Sequence, residues 1–123
     1  MFGATLTQRS PTRGRETELL AQTALQAALE AAAPGTFQVH TASEAVDFGY
    51  SVDLVVKQGE QLLAGVQVKP ESYVLVPRHD AHGWHAAKSA AFPVKVHMVY
   101  YDACDQFRGL EEVVAAAEAA CTA

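Results

Sequence analysis

Four residues stand out for what their types and spacing could do together. Asp53 lies in a β-branched run, Val52-Asp53-Leu54-Val55-Val56, and Gln67 and Lys69 end a second run from Leu62 to Lys69. Gln58-Gly59-Glu60 between them reads as a turn, so the two runs form a hairpin. Side chains alternate across a strand, which puts Val52, Leu54 and Val56 with Ala64, Val66 and Val68 on the core side. Asp53, Gln67 and Lys69 then emerge together on the other face, with Gln67 opposite Asp53 or one diagonal step away. Carboxylate and amide oxygens are donors that a hard divalent cation accepts, and a lysine offers positive charge to an anion or a water. A lysine two residues beyond an amide is unusual in a strand otherwise this apolar. Taken alone, Asp53 and Lys69 also read as a solvated strand face carrying a cross-strand ion pair.

The fourth residue is Glu18. Leu25 and Leu29 follow it by seven and eleven residues, both close to whole helical turns, so Glu18 shares the stripe that should face the sheet. A carboxylate there either ends the buried stripe half solvated or points into a polar site. Glu16, on a neighbouring stripe, is the second choice.

The elements that must position these residues can be read in order. Residues 1–9 look like a loose tail, and Ser10-Pro11 can open a helix, the serine as cap and the proline in its first turn. Strong helix formers run from about Arg15 to Ala33, and Pro34-Gly35 stops them. Phe37 to His40 is a short strand, followed by a polar loop from Thr41 to Ser51 and then the hairpin. Tyr73 to Val76 reads as a further short strand and His79 to Phe92 as a helix that Gly83 weakens. Val94 to Tyr101 is a clear strand and Leu110 to Ala120 an Ala-rich helix. Glu111 and Glu112 stand in the first turn of that last helix, where its dipole favours them.

A glutamate on the first helix, an aspartate opening the second strand and an acid-or-amide-x-Lys on the third resemble the PD-(D/E)xK nuclease superfamily. The local similarity is strongest to archaeal Holliday-junction resolvases. Their Gly-x-x-x-Glu on helix one is matched by Gly14-Arg15-Glu16-Thr17-Glu18, and their Val-Asp-Leu-Val strand by Val52-Asp53-Leu54-Val55. Their apolar-Glu-Val-Lys strand is matched by Val66-Gln67-Val68-Lys69. Gln-x-Lys is also familiar from Mrr-type restriction endonucleases, and Gln67-Val68-Lys69-Pro70 with Ser72-Tyr73 resembles some small type II restriction enzymes. The resemblance covers residues 12–102.

It implies an α/β fold with a restriction-endonuclease-like three-layer core, ordered α-β-β-β-α-β with a C-terminal helix. Residues 1–11 would be a flexible tail and 12–123 a single nuclease-like domain. The implied activity is metal-dependent hydrolysis of DNA phosphodiester bonds, resolvase-like or restriction-like. Asp53 would be the central Mg²⁺ ligand, and Glu18 would bind the ion directly or through water. The Gln67 side-chain carbonyl and the Val68 backbone carbonyl could complete the set. Lys69 would orient the attacking water and hold the scissile phosphate. Val52 in place of the proline is a harmless departure; Gln67 in place of an acid removes one negative charge. Mg²⁺ affinity should fall, leaving a site that is slow, Mn²⁺-dependent or inert.

The totals set bounds on this reading. The chain has 123 residues, 9 Lys+Arg against 14 Asp+Glu, and a formal charge of −5. That length suits one domain with its own core and leaves no room for a separate recognition module. The charge excludes a protein coated in positive potential, although a local basic strip is compatible with it. Arg9, Arg13 and Arg15 form the one basic cluster, either a solvated helix start or phosphate contacts at the mouth of the site. Arg78 and Lys88 are the further candidates for touching DNA. His79, Asp80, His82 and His85 have spacing that could share a metal, but no cysteine completes a zinc set, so exposed polar positions are the plainer reading.

Cys104 and Cys121 are too few and too far apart for a disulfide framework, and two reduced thiols point to a cytoplasmic setting. No apolar run is long enough to span a bilayer. The expected partners are branched or double-stranded DNA and a second copy, since cutting two strands with so small a domain needs two sites. The competing expectation is a nuclease-fold module that binds nucleic acid or protein and no longer cuts.

Overall fold

A computed structural model describes residues 11–43, 49–72 and 87–121. Helix α1 spans Pro11–Ala32, opening at the proline that Ser10-Pro11 offers as a helix start, although residues 1–11 are also expected as a tail. It ends where Pro34 cannot continue it and Gly35 turns to φ 73, with the Gly35 N–H donated to the Glu30 carboxylate at 3.1 Å. Strand β1 (Gln38–Thr41) follows, then β2 (Leu54–Gln58), β3 (Gln61–Pro70), β4 (Val96–Tyr101), β5 (Phe107–Arg108) and helix α2 (Leu110–Ala120).

The strands form one mixed sheet in the order β1-β2-β3-β4-β5. β1, β2 and β3 are antiparallel neighbours, β4 runs parallel to β3, and β5 turns back against β4. The β2–β3 hairpin closes through Gly59-Glu60 with Gly59 at φ 61, the left-handed conformation that its first turn residue needs. This is a mixed α/β domain, as the order of elements implied.

β3 is buried from Leu63 to Val68, on both of its faces. On one face Ala64, Val66 and Val68 join Leu54, Val56 and Val99 under Ala21, Leu25 and Leu29 of α1 and Val113 and Ala117 of α2. On the other, Gly65 lies beneath the ring of Phe92, where a Cβ would come within 3.1 Å of that ring. Phe92 in turn stacks, tilted, on Tyr50.

Two differences from the sequence reading have physical causes. β2 starts at Leu54 and not Val52, because Ser51 takes φ 56 and bends the chain just before Asp53. β5 has no counterpart in the sequence reading: two residues carry no periodicity. Its hairpin is fastened by Asp102, whose carboxylate accepts the N–H groups of Cys104 and Gln106 at 2.8 and 3.0 Å. Those bonds, Gln106 foremost, hold the Asp102 carboxyl below the usual carboxylate range. Of the helix expected from His79, residues 87–90 are helical; its earlier part and the strand expected at Tyr73–Val76 lie outside the described residues. So do Arg78, His79, Asp80, His82 and His85.

Candidate functional site

The hairpin and α1 meet at one end of the sheet. Asp53 is tied there through its backbone in two directions: its N–H goes to the Val66 carbonyl at 2.8 Å, and its carbonyl accepts the Ala42 N–H at 2.8 Å. Just upstream the chain leaves the sheet, so β3 continues without β2 on that side while β4 stays paired with it on the other. The Val68 N–H, which a longer β2 would have paired, is met by the Asp53 carboxylate at 2.7 Å. The side chain thus replaces a missing rung of the ladder, and that fixes the position of the carboxylate.

A cleft of about 200 Å³ opens at this point. Asp53, Val68 and Lys69 line it from the hairpin, Thr17 and Glu18 from α1, and Tyr101 from β4. The structure therefore brings together Glu18, Asp53, Val68 and Lys69, separated by up to 51 positions in sequence. Glu18 is half-buried, one of the two outcomes its helical position allowed. Gln67 is buried on the same strand, between Val66 and Val68, and is not among the residues lining the cleft. Lys88 is half-buried in the helical turn at 87–90 and is likewise outside the lining. Arg13 and Arg15 fall in the opening turns of α1, ahead of Glu18.

Thr17 and Tyr101 were not singled out as site residues from sequence. Tyr101 enters because β4 runs parallel to β3 in a register that sets Pro70 beside Tyr101 and Lys69 beside Tyr100. Thr17 is buried on α1, one residue before Glu18. No local signal marks either residue, since a strand tyrosine and a helix threonine are ordinary.

The positioning of α1 has its own device. Gln26 donates to the Phe37 carbonyl and accepts the Val39 N–H, both at 2.9 Å, and Gln22 donates to the Val39 carbonyl at 2.9 Å. Glu18, Gln22 and Gln26 follow one another at four-residue spacing, so one half-buried ridge grips β1 and ends in the cleft carboxylate. The amides act as a substitute strand for the outer edge of β1. They also set how far along the sheet Glu18 lies.

Among the described residues, no three His, Cys, Asp or Glu side chains converge in a way that could hold a metal. The cleft offers two carboxylates, a backbone carbonyl and a lysine. That donor set suits a hard cation that retains several waters and takes only one or two carboxylates from the protein; it does not suit a caged or thiolate-bound metal.

What fold and cleft define is an α/β domain with a polar, acid- and lysine-lined site at the end of a mixed sheet. Comparison with protein-family models, curated proteins and solved structures finds no match to this chain. Among the described residues, no helix is long and apolar enough to cross a membrane. Neither Cys104 nor Cys121 is part of a disulfide among the described residues.

Proposed function

We propose that the cleft is the active site of a metal-dependent DNA endonuclease built on a restriction-endonuclease-like core, with Asp53, Glu18 and Lys69 as its working groups. The observation that carries this reading is the convergence of those three side chains where the Asp53 carboxylate is held by the Val68 N–H. A carboxylate held in this way needs no reorganisation to receive a cation, which is the essence of electrostatic preorganisation. Glu18 supplies the second carboxylate from a different element, and the Val68 carbonyl a neutral oxygen. A bound Mg²⁺ or Mn²⁺ would polarise the phosphodiester and acidify a water. Lys69 holds the phosphate and orients that water.

The small cleft accommodates an ion and a phosphate and leaves little room to read a base. Selection by DNA shape, as in junction resolution, suits it better than sequence readout. Arg13 and Arg15, just ahead of Glu18 on α1, are the proposed contacts to the flanking backbone, with Arg78 and Lys88 as further candidates.

One observation favours the second reading, a nuclease-fold module that binds without cutting. Gln67 is buried away from the cleft lining, so the site has two carboxylates where the superfamily pattern has three acidic positions. The test is cleavage of linear, supercoiled and four-way-junction DNA with Mg²⁺ or Mn²⁺, beside Lys69→Ala and Asp53→Asn. Cutting by the wild type that both variants abolish is the expected result. Equal cutting by all three removes the cleft from the chemistry, and DNA binding with no cutting by the wild type establishes the inert module.

A further inference from the structure

The register of three strands builds one row of side chains beside the cleft. Lys69 of β3 is paired with Tyr100 of β4, and Tyr100 with Arg108 of β5. Paired residues on neighbouring strands project from the same face of a sheet, so the three side chains stand in line across it. Adjacent strands lie about 4.8 Å apart, which sets the backbones of Lys69 and Arg108 about 10 Å from each other with Tyr100 between them. Lys69 and Tyr100 are half-buried and Arg108 is exposed.

The row joins two hollows. Lys69 lines the cleft, whereas Tyr100 and Arg108 line a notch of about 450 Å³ that Lys95 also borders, with Glu111 and Glu112 on its α2 wall. Arg108 is steered along the row. The Glu71 N–H donates to the Tyr101 carbonyl at 2.9 Å and so carries the β3–β4 ladder two residues past Lys69. The Arg108 Nε donates to the Glu71 carboxylate at 2.8 Å, so the guanidinium reaches back over β4 toward the end of β3. That contact uses one of five guanidinium donors, and with the side chain 75% exposed the planar fork is accessible to a phosphate.

We infer that this row is a track for a single-stranded DNA tail leaving the cleft, with phosphates on Lys69 and Arg108 and a base stacked on Tyr100. The inference rests on the reading of the cleft as a DNA site and adds which form of DNA that site takes. A cation, an aromatic ring and a second cation in line on one face are the combination that holds a single strand whatever its sequence. Inside a duplex each base is already stacked between its neighbours and offers no free face to a phenol. Tyr100 therefore separates a strand from a duplex, while the two cations alone would take either. The notch has more than twice the room of the cleft, enough for the base that the cleft cannot admit. Glu111 and Glu112 repel phosphates from the α2 wall, which keeps the backbone of the strand to the Arg108 side.

Fluorescence anisotropy of the full chain in EDTA, where nothing is cut, tests this with a blunt duplex and the same duplex carrying a single-stranded tail. The wild type is expected to bind the tailed duplex about tenfold more tightly than the blunt one. Tyr100→Leu and Arg108→Ala are each expected to bring the tailed duplex down to the affinity of the blunt one, and Tyr100→Phe to keep the advantage. Arg108→Ala should also make log K for a plain single strand fall less steeply with log salt, by about 0.7, as the loss of one phosphate contact requires. Should Tyr100→Leu fail to fold, as read by circular dichroism, the exposed Arg108→Ala and its salt dependence decide alone. Equal binding of the two duplexes by the wild type overturns the track and leaves the cleavage reading to its own assay. A tail advantage that a folded Tyr100→Leu or Arg108→Ala retains also overturns it. A tail advantage lost in both variants, in a protein that cuts no DNA, upholds the track and removes the cutting. A wild type that binds neither duplex overturns both.

Discussion

One carboxylate oxygen of Asp53 accepts the backbone N–H of Val68 at 2.7 Å, across fifteen residues of chain. The bond gives Asp53 two roles that mutation can separate. Asp53→Ala leaves a buried N–H without a partner and is expected to cost about 1–3 kcal/mol of stability besides any activity. Asp53→Asn keeps an oxygen acceptor and loses only the charge. It should unfold close to the wild type in urea while losing divalent-cation binding by calorimetry. If the asparagine variant is as unstable as the alanine one, the bond is not what anchors the residue.

Gln67 offers a second separation. It is 3% exposed and outside the cleft lining, so a carboxylate put in its place must ionise in a nearly dry setting or reach the cation. Gln67→Glu is expected to lower the Tm of the metal-free protein, with Mg²⁺ or Mn²⁺ restoring part of the loss. A deficit that cations leave untouched would place residue 67 outside the metal's reach.

Gln26 closes the β1 edge with both ends of its amide. Gln26→Leu preserves the bulk and removes both bonds. The expected cost is about 1–3 kcal/mol, from the part-buried Phe37 carbonyl and Val39 N–H left without partners. Because a freed edge pairs with other chains, light scattering should also show faster aggregation on heating. A Gln26→Leu protein as stable and as soluble as the wild type would contradict the substitute-strand role.

Gly109 combines φ 101 with the 2.7 Å approach of its missing Cβ to the Met98 carbonyl. Gly109→Ala therefore suffers both backbone strain and a clash with main chain that cannot rotate away. A destabilisation of about 2 kcal/mol or more is expected, measured by chemical denaturation.

His97 sets a pH dependence. Its imidazole is buried between β4 and α2, and that burial, helped by Lys95 and opposed by Glu112, holds its pKa below the ordinary 6.5. The folded protein thus binds fewer protons than the unfolded chain from 6.5 down to the lowered value. The stability is fully present above 6.5 and is lost as the pH falls through that interval. Tm should drop on acidification below about pH 6.5, and His97→Leu should flatten that part of the profile. Identical slopes in the two proteins would mean that His97 is not the group responsible.

Much of this was legible before any coordinates. The hairpin was legible because strand alternation sorts its residues into two sets, and only one set is apolar enough for the core. Leu110 to Ala120 was legible as a helix to the residue, because high helix propensity, first-turn acids and a glycine before it agree. The candidate acids and lysine followed from types and spacing, since a period of two or of 3.6 residues places a side chain on a face without knowledge of its neighbours.

What a period cannot supply is what lies across from that face. Gln22 and Gln26 look like ordinary helix residues until β1 presents two carbonyls and an N–H to them. Tyr101 joins the cleft through the register of a parallel pair, which local sequence does not encode. Gln67 and Lys69 share a strand face by alternation, yet only Lys69 reaches the cleft, because packing covers the middle of β3 and leaves its end open. The sequence by itself determined which residues could be catalytic and which faces they occupy, because those follow from the geometry of a single element. The tertiary structure alone decided which of them meet and where β2 leaves the sheet. Those outcomes depend on long-range packing and on hydrogen bonds between elements far apart in the chain.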